Sequence, residues 1–321
     1  MLTLSQVVAK DTRPAYRPFR AAVTGLTRLS PHFMRVTFSG PDFDRFGTDG
    51  LDQRIKIVLP IPGIGLSDFG ADDADTVLVG DWYARWRQLS DEIRNPFRTY
   101  TVRAVRPELR ELDVDMVMHP DAVDGARGPA AEWLSSVGIG GQVVIVGPDS
   151  GSVDSHIGID WHPGDASEVL LAGDETAAPA ICSVIESLPA GVTAHAFIEV
   201  PDAADRLPLD VADGCTVTWL ARDGGQVGSV LEPAVRDWVS AHPAAIRPAL
   251  TASAQSVEDV DVDTQLLWDS PAQSHGQFYA WLAGEAAMIK TLRRFLVTET
   301  GIDRSQVAFM GYWRHGKAEA Q

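Results

Sequence analysis

The feature of the sequence that most constrains its fold is a change of pattern near residues 150–163. Before that stretch, short β-rich runs such as Phe33–Phe38 and Arg54–Leu59 follow one another across turns, with one helix indicated over Gly128–Val137. After it, apolar strands alternate with helices, beginning with Glu168–Ala172. The first pattern predicts a small antiparallel barrel. The second predicts a parallel sheet covered on both faces.

We therefore predict two domains, residues 1–155 and 164–321, which suits a chain of 321 residues. We expect a six-stranded antiparallel barrel followed by a five-stranded parallel α/β domain. The other strands expected in the barrel are Phe19–Thr24, a hairpin of Arg98–Val105 with Leu112–Met118, and Gln142–Val146. The other elements expected in the second domain are strands His195–Val200, Thr216–Leu220, Phe278–Ala283 and Val307–Trp313, and helices Thr176–Leu188, Gln226–Ser240 and Glu285–Thr298.

Composition excludes several classes of protein. The net charge of −17 makes nucleic acid and anionic membrane surfaces poor partners. The two cysteines, Cys182 and Cys215, are too few for an all-cysteine iron–sulfur cluster or a zinc ribbon. The chain contains no long apolar run and no secretory signal, so we expect a cytoplasmic protein without membrane insertion.

One segment stands apart in charge. Residues 248–289 contain no Lys or Arg, and within them Glu258–Asp263 is an acidic run interleaved with valine. We interpret this segment, residues 248–275 in particular, as a solvated surface insertion. A loop that docks a partner is the alternative.

The run Arg98-Thr99-Tyr100-Thr101 offers the groups that a flavin needs. An aromatic ring can cover the isoalloxazine, and a cation can face the pyrophosphate. Because side chains alternate along a strand, Arg98 and Tyr100 share one face and Thr101 turns to the other. Taken alone, this tetrad is better explained as a plain β-strand with an exposed Arg and a half-buried Tyr.

Other motifs place the tetrad in a family. They are Asp52-Gln-Arg-Ile-Lys56, Trp82-Tyr-Ala-Arg-Trp86-Arg87, Arg98-Thr-Tyr-Thr-Val-Arg103, Glu111-Leu-Asp-Val-Asp115-Met-Val-Met-His119, Gly128-Pro-Ala-Ala-Glu-Trp133, Ala172-Gly-Asp-Glu-Thr-Ala-Ala-Pro-Ala180, Trp281-Leu-Ala-Gly-Glu285 and Tyr312-Trp313-Arg314. In this order and spacing the sequence resembles the siderophore-interacting proteins, FAD-containing ferric-siderophore reductases with a ferredoxin-reductase-like fold. The resemblance covers nearly the whole chain.

The resemblance implies two sets of cofactor-binding residues. For FAD they are Arg98, Thr99, Tyr100, Thr101, Asp115, Val117, His119, Gly128, Pro129 and Ala130. For NAD(P)H they are Asp174, Glu175, Thr176, Ala177, Glu199, Gly284 and Glu285. Elementary chemistry supports one of these roles independently, because a helix that begins after Gly128 carries unsatisfied N–H donors for a pyrophosphate.

Coenzyme choice is indicated only by charge. Glu199 and Asp202 flank the end of a predicted strand, where carboxylates suit a free ribose hydroxyl better than a 2′-phosphate. Arg222, after the next strand, argues for the phosphate. We expect NADH, with NADPH as the alternative.

The substrate implied by the family is an anionic ferric siderophore, for which Lys56 and Arg314 are the candidate cations. No side chain is expected to act as a catalytic acid or base, because the flavin carries the chemistry. NAD(P)H would reduce the flavin, and single electrons would then reach Fe(III), so that Fe(II) is released. Two alternatives stay open: a flavin or electron-transfer reductase for a protein partner, and a non-enzymatic flavoprotein that binds a siderophore or senses redox state.

Overall fold

The computed structural model describes residues 10–118, 128–253, 255–262 and 264–316. The chain divides into two compact units. The described residues of the first unit are 10–27, 34–118 and 128–159, and those of the second are 28–33, 160–253, 255–262 and 264–316. No helix in the described part of the chain is long and apolar enough to cross a membrane.

The first unit is built mainly of strands. These are β1 Tyr16–Arg28, β2 Phe33–Ser39, β3 Arg54–Val58, β4 Phe97–Thr101, β5 Ala104–Arg106, β6 Glu111–Val117 and β7 Gln142–Pro148. Its helices are α1 Ala74–Val79, α2 Trp82–Gln88 and α3 Pro129–Ser136. The sequence predicted α3 to within a residue at each end, because Pro129 at the first turn sets its start.

The seven strands form one sheet in the order β4-β3-β7-β1-β2-β6-β5. β1 with β7, β3 with β4 and with β7, and β5 with β6 are antiparallel pairs. Side chains of β1, β2, β3, β6 and β7 share one apolar core. The predicted antiparallel barrel sheet is confirmed, with one strand more than the six expected.

The extra strand arises because the predicted run Arg98–Val105 is divided. At Val102 the backbone N–H donates to the carbonyl of Gln53 (3.1 Å), whereas at Arg103 it donates to the carbonyl of Asp113 (2.9 Å). The chain thus changes partner between two residues, so that β4 pairs with β3 and β5 pairs with β6. The predicted hairpin is therefore limited to β5 and β6.

The second unit alternates strands with helices. Its strands are β8 Glu168–Gly173, β9 Thr193–Val200, β10 Cys215–Ala221, β11 Trp268–Asp269, β12 Phe278–Glu285 and β13 Val307–Trp313. Its helices are α4 Ala178–Glu186, α5 Leu231–Ala241, α6 Pro243–Ile246 and α7 Ala286–Arg293, the last continuing as a π-helix over Arg294–Glu299.

These strands form a sheet in the order β10-β9-β8-β12-β13-β11. The first five are joined by parallel pairings, as the sequence predicted. The sixth, β11, pairs antiparallel with β13 and comes from the acidic segment. In that segment Val257, Val260 and Val262 pack against the core, while Glu258, Asp259 and Asp261 are exposed.

Candidate functional site

The start of α3 is an open, uncapped helix end. Gly128 is its N-cap residue, and no side-chain hydrogen bond caps the helix within the described residues. No atom of the described residues would lie within 4 Å of a Cβ placed on Gly128. Pro129 has no N–H, so the first turn presents the amides of Ala130 and Ala131. Trp133 anchors the helix by stacking on Phe38 at 6.3 Å between ring centroids.

Strand β4 carries the predicted flavin residues on two faces. Its register with β3 places Tyr100 opposite Ile55 and Thr99 opposite Lys56. Arg98 and Tyr100 therefore lie on the core side, and Tyr100 packs against that core while remaining half-exposed. The Nη1 of Arg98 donates to the carbonyl of Phe97 at 2.7 Å.

Lys56 lies on the opposite face of this sheet. Its ammonium is 4.5 Å from the centre of the Phe97 ring. Phe97 in turn packs on Trp86 of α2, at 4.8 Å between ring centroids, and Trp82 is buried in the same apolar cluster. The two tryptophans are thus packing residues, as their spacing indicated. Lys56 and Tyr100 are not brought together on one face.

Asp115 on β6 is used inside the protein. Its side chain is completely buried, and its two oxygens accept hydrogen bonds from Arg35 at 2.7 and 2.8 Å. Arg103 lies 3.6 Å away. The carboxylate thus ties β6 to β2 and positions the strand. Val117 is half-buried at the end of β6, and His119 lies outside the described residues.

The groups on the first unit suit FAD. A helix start that no described side chain caps fits a pyrophosphate. One face of β4 offers a guanidinium and a phenol ring, the cation and the aromatic cover that the cofactor needs. The helix start and β4 thus supply the hydrogen-bond donors and the stacking surface that FAD requires. The residues that would hold FAD are Arg98, Tyr100, Gly128 and Ala130.

In the second unit, Asp174 follows β8 and joins three parts of the unit. Its Oδ1 accepts from the Thr176 amide (2.9 Å) and hydroxyl (2.5 Å), and its Oδ2 accepts from the Glu285 amide (2.7 Å) and the Trp313 indole (2.8 Å). The side chain is fully buried. Burial, with the neighbouring charge of Glu175, raises the pKa of Asp174 to about 7, against the hydrogen bonds from Thr176 and Trp313.

Gly284, at the end of β12, is explained by the same carboxylate. Its φ is +148°, and a Cβ there would lie 2.6 Å from Oδ2 of Asp174. The close approach that the sequence predicted at Gly284 is thus made by a side chain of the protein. Any other residue would be strained and would displace Asp174.

Glu199, near the end of β9, caps a helix that begins far along the chain. Its side chain is fully buried and accepts hydrogen bonds from the amides of Gly228 (2.7 Å), Val230 (3.2 Å) and Leu231 (2.9 Å). These donors form the start of α5, which therefore begins at Leu231 rather than at the predicted Gln226. An internal carboxylate fills the anion position of this helix.

Glu175 and Arg222 form a buried ion pair. Both terminal nitrogens of Arg222 donate to the carboxylate, at 2.6 and 2.7 Å. The side chain of Glu175 is 2% exposed and that of Arg222 13%. Arg222 also lies 3.7 Å from Glu199. The carboxyl ends of β8, β9 and β10 are thus linked by one cation between two carboxylates.

The start of α7 is also filled by a carboxylate. Glu285 accepts from the amides of Ala287 (2.7 Å) and Met288 (3.0 Å). By contrast, α4 follows Thr176 and Ala177 with no side-chain cap among the described residues. Thr176 remains half-exposed there. At this edge of the sheet, the amides at the start of α4 are also used within the protein, since those of Ala177 and Ala178 donate to the carbonyl of Asp174 at 3.0 and 3.1 Å.

Arg314 lies just past β13 and is half-exposed. Its guanidinium donates to the backbone carbonyl of Gln265 at 2.6 Å. This contact joins the C-terminal strand to the acidic segment.

Sequence reasoning missed three partners in these networks. Arg35 holds Asp115, Trp313 holds Asp174, and Arg222 holds Glu175. Each partner is far from its carboxylate in the chain. All three carboxylates lie in or directly after buried strands, where a charged group requires a polar partner. This position could have predicted that each carboxylate has a partner, but not which residue it is.

Comparisons with known proteins agree with this architecture. Residues 22–152 match the siderophore-interacting FAD-binding domain, and residues 166–316 match the siderophore-interacting protein family. An uncharacterised protein of Mycobacterium bovis is 33% identical across 95% of this chain and 93% of its own length. A ferric vibriobactin reductase of Vibrio cholerae is 27% identical across 91% of this chain and 87% of its own.

Among solved structures, the siderophore-interacting protein SipS from Aeromonas hydrophila is 27% identical and superposes with a TM-score of 0.63, covering 95% of this chain and 94% of its own. Ferredoxin reductases share the fold alone, at much lower identity. The chain belongs to the siderophore-interacting protein family, an FAD-binding class of the ferredoxin-reductase-like fold. The predicted family, fold and FAD cofactor are thereby confirmed.

Proposed function

We propose that this protein is a NAD(P)H-dependent, FAD-containing reductase of ferric siderophores, which releases Fe(II) in the cytoplasm. The observation that carries the proposal is the open start of α3 in a chain whose relatives include a ferric vibriobactin reductase and a ferric acinetobactin reductase. The protein acts on a small iron chelate rather than on nucleic acid or a membrane. Its two cysteines are too few for an all-cysteine iron–sulfur cluster.

The residues of the first unit bind and orient the cofactor. The amides of Ala130 and Ala131, at a helix start that no described side chain caps, hold the pyrophosphate, and Arg98 adds positive charge. Tyr100 covers the ring system, and the backbone at Thr99 and Thr101 lies beside it. Asp115 and Val117 set the position of β6, on which these contacts depend. FAD, when bound, supplies the conversion of two-electron to one-electron transfer that iron reduction requires.

The residues of the second unit bind the nicotinamide coenzyme. We assign the coenzyme's phosphates to the turn of Thr176 and Ala177 before α4, where Thr176 is half-exposed. Four predicted coenzyme residues instead hold the turns of this edge in place. The carboxylates of Asp174, Glu199 and Glu285 accept hydrogen bonds from backbone amides, and Asp174 fills the space beside Gly284. The substrate-side cations are Lys56, across the strands from Thr99, and Arg314.

The test begins with the purified protein. Mass spectrometry of heat-released flavin should show FAD, and anaerobic NADH or NADPH should bleach the flavin spectrum. Addition of a ferric siderophore should then restore the oxidised spectrum, with Fe(II) captured by a ferrous chelator. Bleaching without iron reduction would favour a flavin or electron-transfer reductase. FMN alone would contradict the pyrophosphate site.

Lys56→Ala tests the substrate role separately. We expect kcat/KM for an anionic ferric siderophore to fall, with a loss that shrinks as salt rises, because exposed charges are screened over roughly 10 Å at about 0.1 M. A cationic or neutral ferric chelate is the control, on which the variant should have little effect. Loss of FAD would instead assign Lys56 to the cofactor, and no change would leave Arg314 as the next candidate.

A further inference from the structure

Three charged residues meet at the edge of the second sheet where nucleotides bind. Glu175 follows β8, Glu199 is the next-to-last residue of β9, and Arg222 follows β10. These strands are neighbours and parallel, so their carboxyl ends lie side by side. In open α/β sheets this edge receives the ligand.

Arg222, the cation at this edge, is already paired with a carboxylate of the protein. Arg222 donates from both terminal nitrogens to Glu175, in the bidentate geometry that makes arginine–carboxylate pairs strong. The pair is largely buried, so water screens it little. The same guanidinium would otherwise suit a phosphate, which it recognises in the same way.

The charge balance is the second point. One guanidinium lies between two carboxylates, and the second carboxylate, Glu199, is 3.7 Å from it. The cluster is therefore negative by one charge, counted from Arg222, Glu175 and Glu199. Such an edge does not oppose an uncharged ribose 2′-hydroxyl, whereas it repels a 2′-phosphate.

We propose that Glu175 sets the coenzyme preference by holding Arg222 in an internal ion pair, so that the edge accepts NADH and rejects NADPH. This inference rests on the proposed function, since it requires that a nicotinamide coenzyme bind the second unit. Glu175 is a positioning residue here and acts through Arg222. Glu199 contributes charge, but its oxygens are engaged by the start of α5.

The proposal differs from simple repulsion by exposed carboxylates. Asp202 follows β9, is exposed, and caps a short 3₁₀ turn through the amide of Ala204. If exposed charge decided the preference, Asp202→Asn would relax it. If the buried pair decides it, Glu175→Gln would do so, because the amide keeps the size of the side chain and removes its charge.

The experiment measures binding of NAD⁺ and NADP⁺ to the FAD-loaded protein by titration calorimetry. The readout is the ratio of the two dissociation constants. The wild type should bind NAD⁺ at least tenfold more tightly. Glu175→Gln should shift the ratio toward NADP⁺ by tenfold or more, and Arg222→Leu added to it should abolish the shift. Asp202→Asn should change the ratio by less than threefold.

Several results would overturn the proposal. Equal binding of both nucleotides by the wild type is one, and an unchanged ratio in Glu175→Gln is another. If Glu175→Gln does not fold, as judged by its melting curve, Arg222→Leu alone decides: loss of NADP⁺ binding would show that Arg222 already serves the phosphate. If neither nucleotide binds the wild type, the coenzyme of the proposed function is wrong as well, a result distinct from equal binding.

Discussion

The start of α3 in the first unit and the starts of α5 and α7 in the second unit share one sequence feature. Each has a glycine at or near the first helical residue, and these are Gly128, Gly228 and Gly284. They differ in what occupies them. Glu199 fills the start of α5 and Glu285 that of α7, whereas Gly128 leaves the start of α3 open. A helix start therefore indicates an anion site only when the protein's own carboxylates do not reach it.

The difference also separates two uses of charge. In the first unit, the buried carboxylate Asp115 is paired with arginine and leaves the helix start to a ligand. In the second, carboxylates replace the ligand at two helix starts and fix the turns around a third. The second unit thus has its edge organised before any coenzyme binds, including the turn before α4, whose N–H groups donate to the side chain and carbonyl of Asp174.

The largest effect should follow from removing the carboxylate that caps the start of α5. Glu199→Ala removes the acceptor of three backbone amides and should lower the free energy of unfolding by about 3 kcal/mol. Urea denaturation of the FAD-loaded protein measures it. Asp237→Ala, an exposed carboxylate on the same helix, is the control and should cost less than about 0.5 kcal/mol. Equal effects of the two variants would refute the capping role.

The next effect tests the aromatic cover in the first unit. Tyr100→Ala should weaken FAD binding by about 2 kcal/mol, a loss of stacking area. Tyr100→Phe keeps the ring and should retain most of the affinity. The dissociation constant can be read from flavin fluorescence after reconstitution. An unchanged constant in Tyr100→Ala would mean that the ring does not cover the flavin.

A smaller effect should follow from filling the open start. Gly128 has φ −62° and ψ 155°, which an aspartate adopts without strain. Gly128→Asp should stabilise the FAD-free protein by up to about 1 kcal/mol as an N-cap. It should weaken FAD binding about tenfold, or about 1.4 kcal/mol, because its carboxylate repels the pyrophosphate.

Gly128→Asn is the matched control for that substitution. It caps the helix with a neutral side chain of the same size. If both variants weaken FAD equally, the cause is bulk rather than charge. If Gly128→Asp retains full affinity, the pyrophosphate lies elsewhere.

The smallest effect is the change in the free energy of unfolding between pH 6 and pH 7. Burial and the Glu175 charge raise the pKa of Asp174 to about 7, so the folded protein binds a proton that the unfolded chain has lost above pH 3.8. Stability should therefore fall as pH rises from about 4 to about 7, by about 1 kcal/mol between pH 6 and 7 from this group. In Glu175→Gln, the fall should move to lower pH. Identical pH profiles of wild type and variant would contradict the assignment.

Much of the architecture could be predicted from local pattern. The five parallel strands and α3 follow from apolar runs and from Pro129, which act over a few residues. The partner change between Val102 and Arg103 could not be predicted, since both residues continue an alternating run and only the tertiary pairing divides it. Helices α1 and α2 were missed as elements because they are short, although the spacing of Trp82 and Trp86 indicated one packed face.

The candidate site was predicted as a set of positions rather than as a set of contacts. Asp174 and Gly284 were predicted as coenzyme-binding positions, and in the structure they contact each other. That they meet each other depends on β8 and β12 lying side by side, which no local pattern specifies. For the same reason, sequence could not show that Glu199 reaches the start of α5.

The pairing of β8 with β12 also bears on how the chain folds. The hydrogen bond from Glu285 to Asp174 joins residues 111 positions apart. The centre of the second sheet thus cannot form until β12 has been synthesised. Until then β8 is an unpaired edge strand of the partial sheet β10-β9-β8. Sheets with such distant pairings fold slowly and expose aggregation-prone edges meanwhile. Low growth temperature and slow expression should accordingly raise the yield of native protein.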